Sequence, residues 1–151
     1  MPAPYHGGCL CGAIRYRLTD EPLTLYACHC TDCQRASGSS FGLSMILSRT
    51  AFDLLQGEPQ RYAITLPDGR QKHGAFCSAC ATHLWGEPVK FPQVVNVDPG
   101  TLDDTTWLRP IAHIWTRSAQ PWVVIPPGTL TFEGQPADPM ALINAWWDRP
   151  R

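Results

Sequence analysis

Apolar positions along this chain fall in short runs broken by Pro, Gly and charged residues, the pattern of a β-rich domain. Residues 13–18 alternate, with Ile14, Tyr16 and Leu18 on one face and Arg15 and Arg17 on the other, as a half-buried strand requires. Residues 23–28 and 41–47 are apolar enough for buried strands. Residues 61–66 and 72–76 flank Pro67-Asp68-Gly69, which reads as a hairpin turn. Residues 94–97, 113–116, 122–125 and 130–132 continue the strand pattern, and His83-Leu84-Trp85 reads as strand packing. Helix is confined to a turn or two near residues 32–36 and a segment at 140–147. Asp138 is expected to cap that last helix with Pro139 at its first position, and Met140, Ile143 and Trp147 to share its face. No internal repeat, low-complexity tract or domain boundary is visible, so residues 1–151 read as a single, mostly β domain with little helix.

Composition narrows the choice of partners. Charged residues make up 17% of the chain against about 25% in an ordinary soluble domain, and the formal net charge is -1. With no run of Lys or Arg there is no electrostatic footprint for nucleic acid or an acidic membrane surface. The first residues contain no basic and apolar leader, and every hydrophobic run is interrupted before it is long enough to span a bilayer. The expectation is a cytoplasmic protein.

Cysteine spacing carries the chemistry. Cys9 and Cys11 form a C-x-C, Cys28, Cys30 and Cys33 a C-x-C-x-x-C, and Cys77 and Cys80 a C-x-x-C. Seven is an odd number for a disulfide framework, and in a reducing compartment clustered cysteines read as metal ligands, with iron–sulfur ligation or a dithiol redox pair as competitors. Zinc takes four ligands in a structural site and three plus an open position in a chemical one. Seven therefore divides into four and three, predicting one closed site and one open site. Alternating residues of a strand share a face, so a C-x-C presents two thiolates on one side, and Cys77-Ser78-Ala79-Cys80 has zinc-knuckle spacing. Cys9 and Cys11 can close a site with Cys77 and Cys80, or with Cys28 and Cys30. His6, His29, His73, His83 and His113 remain as possible further ligands, although His29 in a strand would point away from a metal held by its neighbours.

The residues Gly8-Cys9-Leu10-Cys11-Gly12, Cys28-His29-Cys30-Thr31-Asp32-Cys33-Gln34-Arg35-Ala36-Ser37-Gly38 and Phe76-Cys77-Ser78-Ala79-Cys80, followed by His113-Ile114-Trp115 and Pro121-Trp122, resemble the glutathione-dependent formaldehyde-activating enzyme family. That family includes the centromere protein V-like proteins, and the resemblance runs from Tyr5 to about Gly134. It implies a β-tent fold of twisted antiparallel sheets around two zinc sites. It implies a structural zinc on Cys9, Cys11, Cys77 and Cys80 and an active-site zinc on Cys28, Cys30 and Cys33. The implied activity is that of a carbon–sulfur lyase forming S-hydroxymethylglutathione from formaldehyde and glutathione.

Three thiolates around zinc favour a soft fourth ligand such as an incoming thiol, which coordinates deprotonated and is nucleophilic at neutral pH. The expected partners are thus a small-molecule thiol and an aldehyde, and the second zinc is expected to be the weaker. His29 and Asp32 are candidate proton donors. Arg35, Ser37 and Gly38, directly after the three-cysteine cluster, are candidates for binding the carboxylates of glutathione. Trp85, Trp107, Trp115 and Trp122 are candidate pocket walls that a β domain otherwise places in its core. The competing functions are a non-catalytic zinc-stabilised binding module and a thiol oxidoreductase using Cys28, Cys30 and Cys33.

Overall fold

The computed structural model describes residues 3–150; Met1, Pro2 and Arg151, which the expected domain 1–151 includes, lie outside the described residues. Strands β1 (Tyr5–Gly8), β2 (Arg15–Leu18) and β3 (Thr24–Cys28) lead into helix α1 (Thr31–Ser37). Strands β4 (Gly42–Ser48), β5 (Phe52–Gln56), β6 (Gln60–Thr65), β7 (Gln71–Phe76), β8 (His83–Gly86) and β9 (Val94–Val97) follow. The described chain ends with β10 (Ala112–Ile114), β11 (Leu130–Thr131) and helix α2 (Met140–Trp147). The mostly β reading holds, and the chain gathers into two compact units.

The first unit comprises the chain up to Pro22 and Ile46–Trp107. In it β1, β2 and β5 form an antiparallel sheet, with Tyr5 opposite Leu18 and Arg17 opposite Asp53. The expected alternation in β2 is realised: Ile14, Tyr16 and Leu18 are buried while Arg15 and Arg17 are partly exposed, Arg17 meeting Asp53 at 2.6 Å. Gly7 lies against Tyr16, whose hydroxyl would stand 2.4 Å from any Cβ there, so the sheet closes only over a glycine. Strands β6 to β9 form a second antiparallel run, which includes the expected hairpin between β6 and β7. Leu66 donates its N–H to the Arg70 carbonyl at 2.8 Å across that turn, and Gly69 takes the left-handed conformation (φ 86°).

The second unit comprises Leu23–Met45 and the chain from Leu108 onward. Here β10 pairs in parallel with both β3 and β11, so the sheets are mixed, not wholly antiparallel. Cys28, Ala112, Ile114 and Leu142 form its buried cluster, with Tyr26, Cys30, Cys33 and Trp115 packed against it. Helix α2 spans the expected residues, and the Asp138 carboxylate accepts the Met140 N–H at 2.9 Å. Its buried face differs from the expected one: Leu142 and Trp146 are buried, whereas Met140 and Trp147 are 48% and 44% exposed.

The strand expected at 122–125 is absent. Pro121 on one side and Pro126 and Pro127 on the other bound that stretch with residues that cannot extend a ladder, and turns form there in which Val123 donates to Gln120 O and Thr129 to Pro126 O. Trp122 and Val124 are 69% and 84% exposed there, while Trp85 is core and Trp107 stacks on Tyr5. Among the described residues no helix is long and apolar enough to cross a membrane.

Candidate metal centres

Two sulfur clusters emerge, one in each unit. Cys9, Cys11, Cys77 and Cys80 bring their sulfurs within 4.8 Å of one another, and so do Cys28, Cys30 and Cys33. Of the partitions left open by spacing, the structure adopts the one that keeps Cys9 and Cys11 with Cys77 and Cys80.

The four-cysteine cluster is built from two loops. Cys9 and Cys11 do not lie in a strand, as their alternation suggested; β1 ends at Gly8 and the pair sits in a turn closed by Gly12 N–H to Cys9 O at 3.0 Å. Gly12, at φ 78°, supplies the left-handed residue that such a turn needs. The second loop is a knuckle in which Ala81 donates to Cys77 O at 2.8 Å and Cys77 to Thr82 O at 2.9 Å. Cys9 and Cys11 sulfurs are 3.5 Å apart and Cys11 and Cys77 sulfurs 3.7 Å. Four sulfurs at about 2.3 Å from a tetrahedral ion stand about 3.8 Å from one another, so this donor set has the dimensions of a closed thiolate site.

Local donors tune these sulfurs. The Thr82 hydroxyl, then the Thr82 and Cys11 amides, hold the Cys80 thiol down to about 6. Cys9 is desolvated, yet the Ile14 N–H at 3.3 Å and the neighbouring thiols keep it below the ordinary thiol value. The Ala13 amide favours a Cys11 thiolate, but hydrogen bonding with Cys9 and Cys80 outweighs it and pushes that thiol up to about 11.

The three-cysteine cluster occupies one short segment. Cys28 is the last residue of β3, Cys30 is the N-cap of α1 with its sulfur accepting the Cys33 N–H at 3.3 Å, and Cys33 lies in the first turn. Hydrogen bonds from Cys28 and Cys33 hold Cys30 as a thiolate far below the ordinary range. The same sharing with Cys30 pushes Cys28 up to about 11, and both neighbours push Cys33 higher still. A dication held by the three sulfurs would favour the ionised form of each.

His29 is fully buried and stands apart from the sulfurs, its Nε2 2.8 Å from His113 Nδ1. Burial holds both imidazoles below the ordinary histidine value, so they form a neutral pair at pH 7. His83 is engaged by Asp98 at 2.6 Å and Tyr62 at 2.7 Å. Arg35 is exposed on the last turn of α1, and Asp32 lies in its first turn. The Ser37 hydroxyl is within 2.8 Å of Cys33 O and 3.1 Å of Phe41 O, closing the helix end where Gly38 takes φ 62°. Thr82, Gln34 and Ser118 are the contributors that spacing did not single out, and His113, a possible further ligand by sequence, instead meets His29.

Two thiol clusters on a mostly β scaffold define a protein equipped to bind metal ions. The model of the glutathione-dependent formaldehyde-activating enzyme matches residues 4–118, most of the chain, and the protein belongs to that family. A protein of Halomonas elongata is 29% identical over 125 residues, 79% of each chain, and bears the name "Putative glutathione-dependent formaldehyde-activating enzyme". A crystal structure of a Rhodobacter sphaeroides protein, aligned over 84% of this chain and 98% of its own, has a TM-score of 0.53 at 15% identity, a likeness of fold alone.

Proposed function

We propose that this chain, residues 1–151 acting as one domain, is a cytoplasmic zinc-dependent enzyme of the carbon–sulfur lyase type acting on thiol–aldehyde adducts. Its reaction on this reading joins formaldehyde to glutathione, giving S-hydroxymethylglutathione. The observation that carries the reading is the cluster of Cys28, Cys30 and Cys33, which no fourth Cys, His or carboxylate joins among the described residues. Such a set suits a zinc ion with one exchangeable position, whereas the four-cysteine set suits a closed structural zinc.

A zinc ion bound by Cys28, Cys30 and Cys33 would keep an incoming thiol deprotonated at neutral pH. The chain's own residues hold and surround it. Ile114, Leu142 and Trp115 back the cysteines with apolar surface, which strengthens charge interactions at the sulfurs. In the addition a sulfur–carbon bond forms, the carbonyl π bond opens and the thiol's proton ends on the new hydroxyl, so no further reactant is consumed. Of the two candidate proton carriers, His29 is buried against His113, so we assign the proton's movement to Asp32 in the first turn of α1, and the recognition of glutathione's carboxylates to Arg35 and the Ser37-Gly38 turn.

Exchange spectroscopy of formaldehyde and glutathione by NMR tests the reading. The zinc-loaded protein should accelerate interconversion of free and hydroxymethylated thiol, and Cys30→Ser should return it to the protein-free rate. Wild-type exchange no faster than in buffer, with both metals bound, would sink the assignment.

A further inference from the structure

The segment bearing Cys28, Cys30 and Cys33 is gripped by a hydrogen-bond clasp to which none of the three thiols contributes. His29, between the first two ligands, donates its N–H to Ile114 O at 3.0 Å. Its carbonyl accepts from Gln34 Nε2 at 2.8 Å and shares the one proton of Ser118 Oγ with Trp115 O, each oxygen standing 3.1 Å from that hydroxyl. The Gln34 amide also donates to Ser118 O at 3.0 Å, and its Oε1 accepts from Gln120 Nε2 at 3.1 Å. A glutamine carries two N–H donors, and both are spent on tying residue 33's neighbour back to residue 29 and across to residue 118.

Ser118 is itself delivered by a strained turn. Its N–H closes on Trp115 O at 3.1 Å, and Trp115 sits at φ 58°, ψ 38°. A bulky residue is rarely left-handed, and such a conformation persists only where its surroundings enforce it. Here Trp115 is fixed by its N–H to Gly134 O at 3.3 Å, by its indole N–H to Gln135 Oε1 at 3.3 Å and by the Arg117 guanidinium over its ring. The strain falls on the residue that starts the turn presenting Ser118 to the ligand segment.

We propose that Gln34 and Ser118 are positioning residues of the three-cysteine metal site. By fixing the His29 peptide they bring Cys28, Cys30 and Cys33 together before metal binds, a task the four-cysteine site shares between two loops. Partners that hold ligands in place in this way are typically worth about 10- to 100-fold in metal affinity. The proposal rests on the metal-site part of the functional reading and is independent of the substrate.

The test is chelator competition on the full-length protein, with cobalt and zinc, resolving the two sites. Gln34→Glu keeps the side chain's size but removes both donors, and Ser118→Ala removes the hydroxyl that Ser118→Thr retains. Gln34→Glu and Ser118→Ala should weaken the three-cysteine site about 10- to 100-fold, leave the four-cysteine site unchanged, and leave Ser118→Thr near wild type. Should Gln34→Glu fail to fold, the Ser118 pair decides alone. Unchanged affinity, equal weakening at both sites, or a wild-type protein that takes metal only at the four-cysteine site overturns the proposal. Normal metal binding without any formaldehyde–thiol exchange would sink the reaction and leave these positioning roles standing.

Discussion

Thr82 donates its hydroxyl to the Cys80 sulfur at 3.1 Å, and the same oxygen accepts the Leu10 N–H at 3.1 Å. One side chain thus joins the knuckle to the turn that carries Cys9 and Cys11. It is also the leading cause of the depressed Cys80 thiol, held at about 6. A lower ligand pKa means that more acid is needed before a proton displaces the metal. Thr82→Val should therefore shift half-release from the four-cysteine site to higher pH, by a few tenths of a unit to about one. Thr82→Ser should behave as wild type. Acid titration with a chromophoric chelator reads the shift, and superimposable curves for Thr82→Val and wild type would remove Thr82 from the site.

The two clusters differ in what they hold together. Cys11 and Cys77 approach across 66 positions of sequence, whereas Cys28, Cys30 and Cys33 share one segment. Cys77→Ser should accordingly fall among the large destabilisations, above about 4 kcal/mol, lowering Tm by about 10 °C or more. Cys30→Ser should cost far less stability while removing the second metal. Calorimetry with metal analysis of each variant decides, and equal losses of Tm would erase the distinction.

Much of this was legible in the chain because cysteine spacing and strand alternation are local signals. The three cysteine groups, the Ile14-Tyr16-Leu18 face and the hairpin at Asp68-Gly69 follow from neighbours a few residues apart. What escaped depends on distant partners or on turns. The C-x-C forms a turn because Gly12 is free to take φ 78°, an option that alternation cannot reveal. Gln34 and Ser118 are separated by 84 residues, and nothing in either's surroundings in sequence marks their meeting. Thr82 is nearer to a local signal: a hydroxyl two residues after a C-x-x-C is well placed to donate to its second sulfur. The face of α2 is decided by packing, because Met140, Ile143 and Trp147 suit helical spacing as well as Leu142 and Trp146 do.

That last helix offers a direct comparison. Leu142 is 4% exposed and joins the cluster around Cys28, and its carbonyl accepts the Thr24 hydroxyl at 2.9 Å. Leu142→Ala should cost about 2–5 kcal/mol. Met140→Ala, on the exposed side, should stay within about 0.5 kcal/mol of wild type. Urea denaturation of both variants measures this, and a larger loss for Met140→Ala would reverse the face.

The proposed function requires an open fourth position on a metal held by Cys28, Cys30 and Cys33. Cobalt in that site should show sulfur-to-metal charge-transfer absorption from three thiolates, and a small thiol that enters the fourth position should intensify and shift it. The four-cysteine site, already complete, should not respond, so the change must vanish in Cys30→Ser and survive Thr82→Val. Thiol binding as thiolate releases a proton, which fixes the sign of the pH dependence. Apparent affinity should rise about tenfold per pH unit until the free thiol ionises near pH ~8.5, and flatten above it. Glutathione and an uncharged thiol such as mercaptoethanol should each show that rise, flattening at its own thiol pKa, and Arg35→Ala should weaken glutathione but not mercaptoethanol. A cobalt spectrum that none of these thiols alters would leave the three-cysteine site without a role in thiol chemistry.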